Sequence, residues 1–207
     1  MNTPSPASGF RLPSLPDWAF FPLALALIGS MIYVALNMGD RVTLTADDIL
    51  EQGVVHEGAG LQGLTTGNGL SVVYLSDESG EFARITAERG PFDGIQSAGA
   101  FFSLTEPQRE ALRGHRVRIT ATLRAAPVNG AEGVQLNLFL PDRGQNNWQR
   151  VVLSEDAETY SIEITSRACS WDLAFLALWP DWDAQANTVD LYRYEIQALE
   201  PVECRSR

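Results

Sequence analysis

The chain contains no lysine, so all 15 of its basic residues are arginines, and 26 aspartates and glutamates outnumber them. The formal net charge of −11 repels the phosphates of nucleic acids and the headgroups of anionic lipids. We therefore expect no nucleic-acid partner.

Histidine is almost as scarce, with only His56 and His115 in 207 residues. Neither has the spacing of a zinc site or of a serine or cysteine triad, and we expect both on the surface. Carboxylate pairs such as Asp172 and Asp181 do not indicate a glycosidase without a known separation. No phosphate-binding glycine motif precedes a helix. The sequence therefore predicts a protein that is not an enzyme and that has no cofactor.

Only two cysteines are present, Cys169 and Cys204, and they leave two interpretations open. A disulfide between them would tie the tail to the sheet and close a loop of about 36 residues, for roughly 3 to 4 kcal/mol. Such a bond persists in an oxidising compartment. In the alternative, the thiols are unrelated and Cys169 is simply buried.

The longest uncharged apolar run covers residues 18–38. As a helix it would be about 30 Å long, which matches the hydrocarbon thickness of a bilayer. Pro22 lies in the first turn, where its missing N–H is tolerated. The run is too long for a signal peptide, and no small-residue cleavage site follows it. The pattern predicts one N-terminal transmembrane helix.

This helix sets the expected domain organisation. Arg11 and Arg41 flank the run equally, so the positive-inside rule hardly indicates the orientation of the helix. The possible disulfide favours an extracytoplasmic domain. The expected localisation is the bacterial inner membrane, single-pass, with the lipid bilayer as a partner and the C-terminal domain in the periplasm. The predicted segments are a disordered cytoplasmic tail (1–17), the transmembrane helix (18–38), a juxtamembrane linker (39–66) and a β-sandwich domain (67–207).

After residue 69 the dominant pattern is alternation of apolar and polar residues with period two, which is typical of half-buried strands. Nine short strands with turns between them predict an all-β fold, a jelly-roll β-sandwich. Capping motifs at Thr45 and Thr105 predict two short helices. The predicted strands are Leu70–Leu75, Phe82–Ala87, Gly99–Leu104, Val117–Ala125, Val134–Leu140, Gln149–Leu153, Tyr160–Thr165, Trp171–Trp179 and Val189–Leu199.

Two of these strands have one apolar and one polar face. In each, alternate residues beginning at Val117 and at Val134 are expected in the core, and the residues between them face outward. If the two strands are neighbours, their outward residues form a polar patch with one aromatic ring, which suits a saccharide. An ordinary solvated sheet face is the alternative. The patch would contain Arg118, Thr120, Gln135, Asn137 and Phe139.

Four segments resemble the strand and turn patterns of the galactose-binding-like β-sandwich, which includes many carbohydrate-binding modules: Gly114–Thr120, Leu123–Ala125, Leu176–Asp181 and Thr188–Leu191. The resemblance covers roughly residues 65–200. It implies a ligand on the concave sheet face or at the loops of one end. The residues that it implies for the concave face are Arg118, Gln135, Asn137 and Phe139, and the loop aromatics are Trp148, Trp179 and Trp182.

Such modules often hold a structural calcium ion, for which Asp77, Glu78 and Asp190 are the oxygen donors in this chain. No spaced calcium loop supports that site. In the segment Trp179–Asp183, Pro180 sets a bend after the strand. Trp182 would then stack on a sugar while Asp181 or Asp183 accepts hydroxyl hydrogen bonds, unless this tryptophan only covers the end of the core.

The sequence supports two functions. The first is a non-catalytic, membrane-anchored, extracytoplasmic binding module for envelope or exopolysaccharide glycans. The alternative is an accessory single-pass subunit of an inner-membrane complex, which docks an integral-membrane protein partner through its helix and its sandwich.

Overall fold

The structure, a computed structural model, describes residues 17–37, 45–91, 93, 97–141, 148–181 and 187–203. Internal contacts divide the chain into two units, Met1–Thr43 and Leu44–Arg207.

In its described residues, the first unit has the helix α1 (Asp17–Asn37), with Pro22 inside it. The Ser30 hydroxyl donates to the Leu27 carbonyl at 2.8 Å. The helix lies where the apolar run predicted one. Within the part of the chain that the structure describes, however, no helix is both long and apolar enough to cross a membrane. This finding overturns the predicted transmembrane helix and the single-pass inner-membrane localisation, which are wrong.

The second unit begins with α2 (Ala46–Gln52), which confirms the helix predicted after Thr45. The Thr45 N–H donates to Asp48 Oδ2 at 2.9 Å, and the Asp48 N–H donates to Thr45 Oγ at 3.3 Å. This reciprocal capping satisfies amides that the first turn leaves without helical partners. The hydrogen bond from the Thr45 side chain lowers the pKa of Asp48.

Residues 39–66 were expected to form a juxtamembrane linker, and for the described residues 45–66 that prediction is wrong. Strand β1 (Val54–Glu57), a 3₁₀ helix (Gly58–Gly63) and strand β2 (Thr65–Thr66) follow α2 directly. Val54 pairs with Ile196 of the last strand, so β1 belongs to a main sheet of the sandwich.

All nine predicted strands are present, with ends that differ by a few residues. They are β3 (Leu70–Asp77), β4 (Gly80–Ala87), β5 (Ala100–Ser103), β6 (His115–Ala125), β7 (Gly133–Phe139), β8 (Gln149–Val152), β9 (Glu158–Thr165), β10 (Phe175–Pro180) and β11 (Thr188–Pro201). Helix α3 (Glu106–Leu112) lies between β5 and β6, as the motif at Thr105 predicted.

The strands form two layers. Sheet A has the order β3-β4-β11-β6-β9, with β1 paired to β11 beyond the end of β4. Sheet B has the order β10-β7-β8, and a bridge between Gly99 and Leu178 joins the β2-β5 pair to β10. This arrangement confirms an all-β sandwich. The finer jelly-roll description stays a prediction.

The core lies between the two sheets and is built as the alternation predicted. Sheet A contributes Val117, Ile119, Ala121 and Leu123, and sheet B contributes Val134, Leu136 and Leu138, all of them buried. The buried Tyr194 hydroxyl donates to the Ala177 carbonyl at 2.6 Å and thereby joins the layers. Burial raises the pKa of Tyr194.

His56 was expected on the surface, but its ring is half-buried and lies flat on Phe102. The ring centroids are 3.8 Å apart and the planes differ by 7°. Among the described residues its Nε2 has no hydrogen-bond partner. Burial lowers the pKa of His56 from 6.5 to about 4, and a hydrogen bond with the Gly60 backbone opposes that shift.

This lowered pKa predicts a loss of stability in acid. The unfolded chain binds a proton at His56 below pH 6.5, whereas the folded chain binds it only near pH 4. The free energy of unfolding should therefore be fully retained above pH 6.5 and fall by at most about 3 kcal/mol between pH 6.5 and 4. Urea titrations at several pH values measure this change. The variant His56→Phe should flatten the profile in this window, and an unchanged slope would contradict the assignment.

Candidate functional site

The predicted saccharide patch requires β6 and β7 to be neighbours, and they are not. Strand β6 pairs with β11 and β9 in sheet A, whereas β7 pairs with β10 and β8 in sheet B. Arg118 and Thr120 therefore lie on the outer face of sheet A. Gln135, Asn137 and Phe139 lie on the outer face of sheet B, and the two faces point away from each other.

On the outer face of sheet A, the polar side chains bond one another. Arg118 donates to Glu163 at 2.9 Å, and the hydroxyls of Thr120 and Ser161 are 3.2 Å apart. The hydrogen bond from Arg118 lowers the pKa of Glu163. This part of sheet A matches the solvated sheet face that the sequence left as an alternative.

Asp190 is the centre of the strongest ion network in sheet A, and it is 0% exposed. Arg84 donates to both of its oxygens, at 2.7 and 2.9 Å, and Arg124 donates to Oδ2 at 3.0 Å. Arg124 and the Tyr192 hydroxyl also donate to Asp77, at 3.0 and 2.8 Å. The hydrogen bond with Asp190 raises the pKa of Arg84.

This network bears on the calcium site that the resemblance implied. Asp77 and Asp190, two of its three donors, are already neutralised by arginines. In the described part of the chain, no group of three or more histidines, cysteines, aspartates or glutamates could hold a metal ion. The calcium site stays a prediction.

The outer face of sheet B carries a larger group of aromatic rings than that of sheet A, where Phe82 and Tyr192 are in contact at 5.1 Å. The Phe101 and Phe175 rings are 4.7 Å apart in an edge-on contact, and Phe139 stacks on Phe175 at 6.3 Å. Trp148 meets Trp179 edge-on at 6.2 Å. We call the set of Phe101, Phe139, Trp148, Phe175 and Trp179 the aromatic face. Phe101, Trp148 and Phe175 are half-buried, whereas Phe139 and Trp179 are buried.

Trp179 was expected as a loop aromatic, and that placement is wrong. It lies inside β10 and is 0% exposed. Its indole N–H donates to the Arg89 carbonyl at 2.8 Å, and the Arg89 guanidinium lies 5.3 Å from its ring centroid. The ring forms the floor of the aromatic face. Trp182, the other loop aromatic expected after β10, lies outside the described residues.

Asn137 lies on this face between Gln135 and Phe139 and is 0% exposed. Among the described residues, neither its Nδ2 nor its Oδ1 has a hydrogen-bond partner. Leaving a buried polar group unpaired costs about 1 to 3 kcal/mol. Such a group needs an explanation, and a ligand that completes its hydrogen bonds is one.

The end of the face near β8 carries an ion pair between Arg150 and Asp181. The Asp181 N–H donates to the Gly133 carbonyl at 2.9 Å. A Cβ at Gly133 would lie 2.7 Å from Asp181 Oδ2 and 2.8 Å from Arg150 Nη2, so the small residue makes room for the pair. Gln135 lies opposite Trp179, between this pair and Asn137.

Sequence reasoning missed Phe101, Phe175 and Arg150 as members of this face. For Phe175 a signal was available, because it shares the parity of Trp179 in β10. Arg150 carries no such signal, because its place beside Gln135 depends on the pairing of β7 with β8. Cys204 lies outside the described residues, so its disulfide with Cys169 stays a prediction.

No protein-family model matches the sequence, and no curated protein is similar to it. Among solved structures, the chain is similar to the CBM22-1 xylan-binding domain of Paenibacillus barcinonensis Xyn10C. The identity is 12%, the match covers 72% of this chain and 95% of that domain, and the TM-score is 0.50. The tandem CBM22-1-CBM22-2 domain of the same protein matches at 11% identity over 76% of this chain and 45% of the tandem, with a TM-score of 0.49. At these identities the first likeness shows the fold: the second unit is a β-sandwich like that of a carbohydrate-binding module.

Proposed function

We propose that this protein is a non-catalytic glycan-binding module and that its ligand lies on the outer face of sheet B. The observation that carries the proposal is the contrast between the two outer faces. On sheet A the polar groups of β6 and β9 bond one another, whereas sheet B combines aromatic rings with a buried amide that lacks partners. Sugars need an apolar platform together with planar hydrogen-bonding groups.

Trp148, Phe101 and Phe175 are the half-buried rings of the aromatic face that can meet a sugar. Gln135 and the Arg150–Asp181 pair supply donors and acceptors beside them. The likeness to a xylan-binding domain supports the proposal and makes xylan the first probe, followed by bacterial exopolysaccharides.

The variant Trp148→Ala should weaken glycan binding about tenfold or more. This ring is half-buried before binding, and removing such an aromatic anchor from a binding site commonly costs 2 kcal/mol or more. Affinity electrophoresis and isothermal titration calorimetry of the full chain with soluble xylan measure the effect, with unfolding curves to show that the variant is folded.

The matched control is Arg118→Ala, on the outer face of sheet A. Because that face points away from the aromatic face, xylan affinity should stay within about twofold of the wild type. If Arg118→Ala loses xylan binding and Trp148→Ala retains it, the site lies on sheet A and not on sheet B. A wild-type chain that binds no xylan and no exopolysaccharide would refute the proposed function.

A further inference from the structure

The unpaired amide of Asn137 carries an inference that rests on the proposed function. An asparagine side chain offers two donors on Nδ2 and an acceptor on Oδ1. Among the described residues, neither Nδ2 nor Oδ1 has a hydrogen-bond partner, although the side chain is fully buried. A donor and an acceptor side by side match two neighbouring hydroxyls of a sugar ring, of which one accepts and the other donates.

Trp148 stands next to this amide. The last pair between β7 and β8 joins Leu136 to Gln149, and continuing that register sets Trp148 beside Asn137. Its ring packs on the small apolar cluster of Ala98, Phe139 and Ala177, and Ala177 is the partner of Asn137 in β10. Because the Asn137 amide has no access to solvent, a ligand reaches it only when a neighbouring side chain moves. Among these described neighbours, Trp148 is half-buried and precedes its strand, whereas Ala98, Phe139 and Ala177 are buried, so we take Trp148 as the side chain that moves.

The charges around the amide indicate the class of sugar. Arg150 and Asp181 form an ion pair and so neutralise each other. The cluster against which Trp148 packs is apolar. A third charge beside this face, the Arg89 guanidinium, contacts the Trp179 ring and donates to the Asn68 carbonyl. Among the described residues, a charged sugar placed on the apolar cluster would therefore lose its hydration without gaining a new counter-ion, which is costly in an apolar site. An uncharged sugar exchanges only hydrogen bonds.

We infer that Asn137 is the specificity determinant of the site: it binds two neighbouring hydroxyls of an uncharged sugar ring after the Trp148 ring moves aside. The wild type should therefore bind a neutral polysaccharide and discriminate against a polyuronate of similar length.

The test compares wild type, Asn137→Leu and Asn137→Ala as full-length chains. The leucine has a similar size and no polar atoms, and the alanine is a second variant in case the leucine does not fit. Calorimetry with neutral xylan and with polygalacturonate measures affinity, and thermal unfolding without ligand measures the cost of the unpaired amide. The matched control is Thr122→Val, a similar removal of a polar atom on the outer face of sheet A, where the Thr122 and Thr159 hydroxyls are 3.1 Å apart.

We expect at least tenfold weaker xylan binding in both Asn137 variants, a higher unfolding temperature for Asn137→Leu, and xylan affinity within about twofold of wild type for Thr122→Val. Xylan affinity retained by Asn137→Leu would overturn the role of Asn137 and leave the proposed function standing. Tighter binding of polygalacturonate than of xylan would overturn the preference for uncharged sugars and would also leave the proposed function standing. Binding of neither polymer, nor of any exopolysaccharide, would refute the proposed function and this inference with it.

Discussion

Replacing Asp190 with alanine should lower the free energy of unfolding by about 3 to 5 kcal/mol, because it removes one partner of a buried ion network. The carboxylate is 0% exposed and accepts three hydrogen bonds, two from Arg84 and one from Arg124. Without it, the half-buried Arg84 guanidinium loses its ion-pair partner, and Arg124 keeps only Asp77.

The position of this carboxylate explains why the effect should be large. Asp190 pairs with Arg84 of β4 on one side and with Arg124 of β6 on the other, so one side chain ties three adjacent strands. Arg124 extends the tie to Asp77 of β3. Each arginine also lies near the Phe82 ring, with its guanidinium carbon 5.5 or 5.4 Å from the centroid. Loss of Asp190 therefore loosens side-chain packing as well as charge pairing.

Two variants make this prediction specific. Asp190→Asn keeps the shape and some of the hydrogen bonds, so it should cost less than alanine. Glu163→Ala removes an exposed partner of Arg116 and Arg118, and exposed pairs contribute about 0 to 1 kcal/mol. Urea denaturation at pH 7 measures all three. If Asp190→Ala costs no more than Glu163→Ala, the network does not hold the sheet.

The local patterns in the sequence were sufficient for most of the fold. Alternation placed Val117, Ile119, Leu136 and Leu138 in the core because in a strand the side-chain period decides the face. The capping threonine at 105 likewise predicted α3, because its motif is contained in four residues. Strand β1 was not predicted, because its four residues between glycines are too few to show an alternation of apolar and polar side chains.

The candidate site was harder to predict because it depends on which strands pair. The outward parity of Gln135, Asn137 and Phe139 was correct, and only the assumption that β6 lies beside β7 misplaced Arg118. Pairing over such distances is fixed by the packing of the whole sandwich and not by the residues of either strand. The burial of Trp179 has the same origin, since it depends on the approach of Gly99 and Arg89 from elsewhere in the chain.

Replacing Gly99 should also have a large effect on stability, because this residue joins β5 to β10 at a place where no side chain fits. Its φ of +73° is one that side-chain-bearing residues adopt at a cost of about 1 to 2 kcal/mol. A Cβ there would lie 2.5 Å from the Leu178 carbonyl oxygen and 2.8 Å from Trp179 Cε3, far inside ordinary contact distance. Gly99→Ala should therefore lower the free energy of unfolding by about 4 kcal/mol, as strain and steric overlap add.

Two other glycines separate these two causes. Gly80 has a φ of +123° but open space around its Cβ position, so Gly80→Ala should show the cost of backbone strain alone, about 1 to 3 kcal/mol. Gly60 has neither a positive φ nor a neighbour within 4 Å, so Gly60→Ala should be neutral or stabilise by up to about 1 kcal/mol. Urea denaturation should rank the alanine variants of Gly60, Gly80 and Gly99 in order of increasing loss of unfolding free energy.

Because Gly99 contacts the floor of the aromatic face, Gly99→Ala should also weaken xylan binding at temperatures where it remains folded, whereas Gly80→Ala should not. Equal losses at Gly80 and Gly99 would show that the approach of β5 to β10 is looser than the structure indicates.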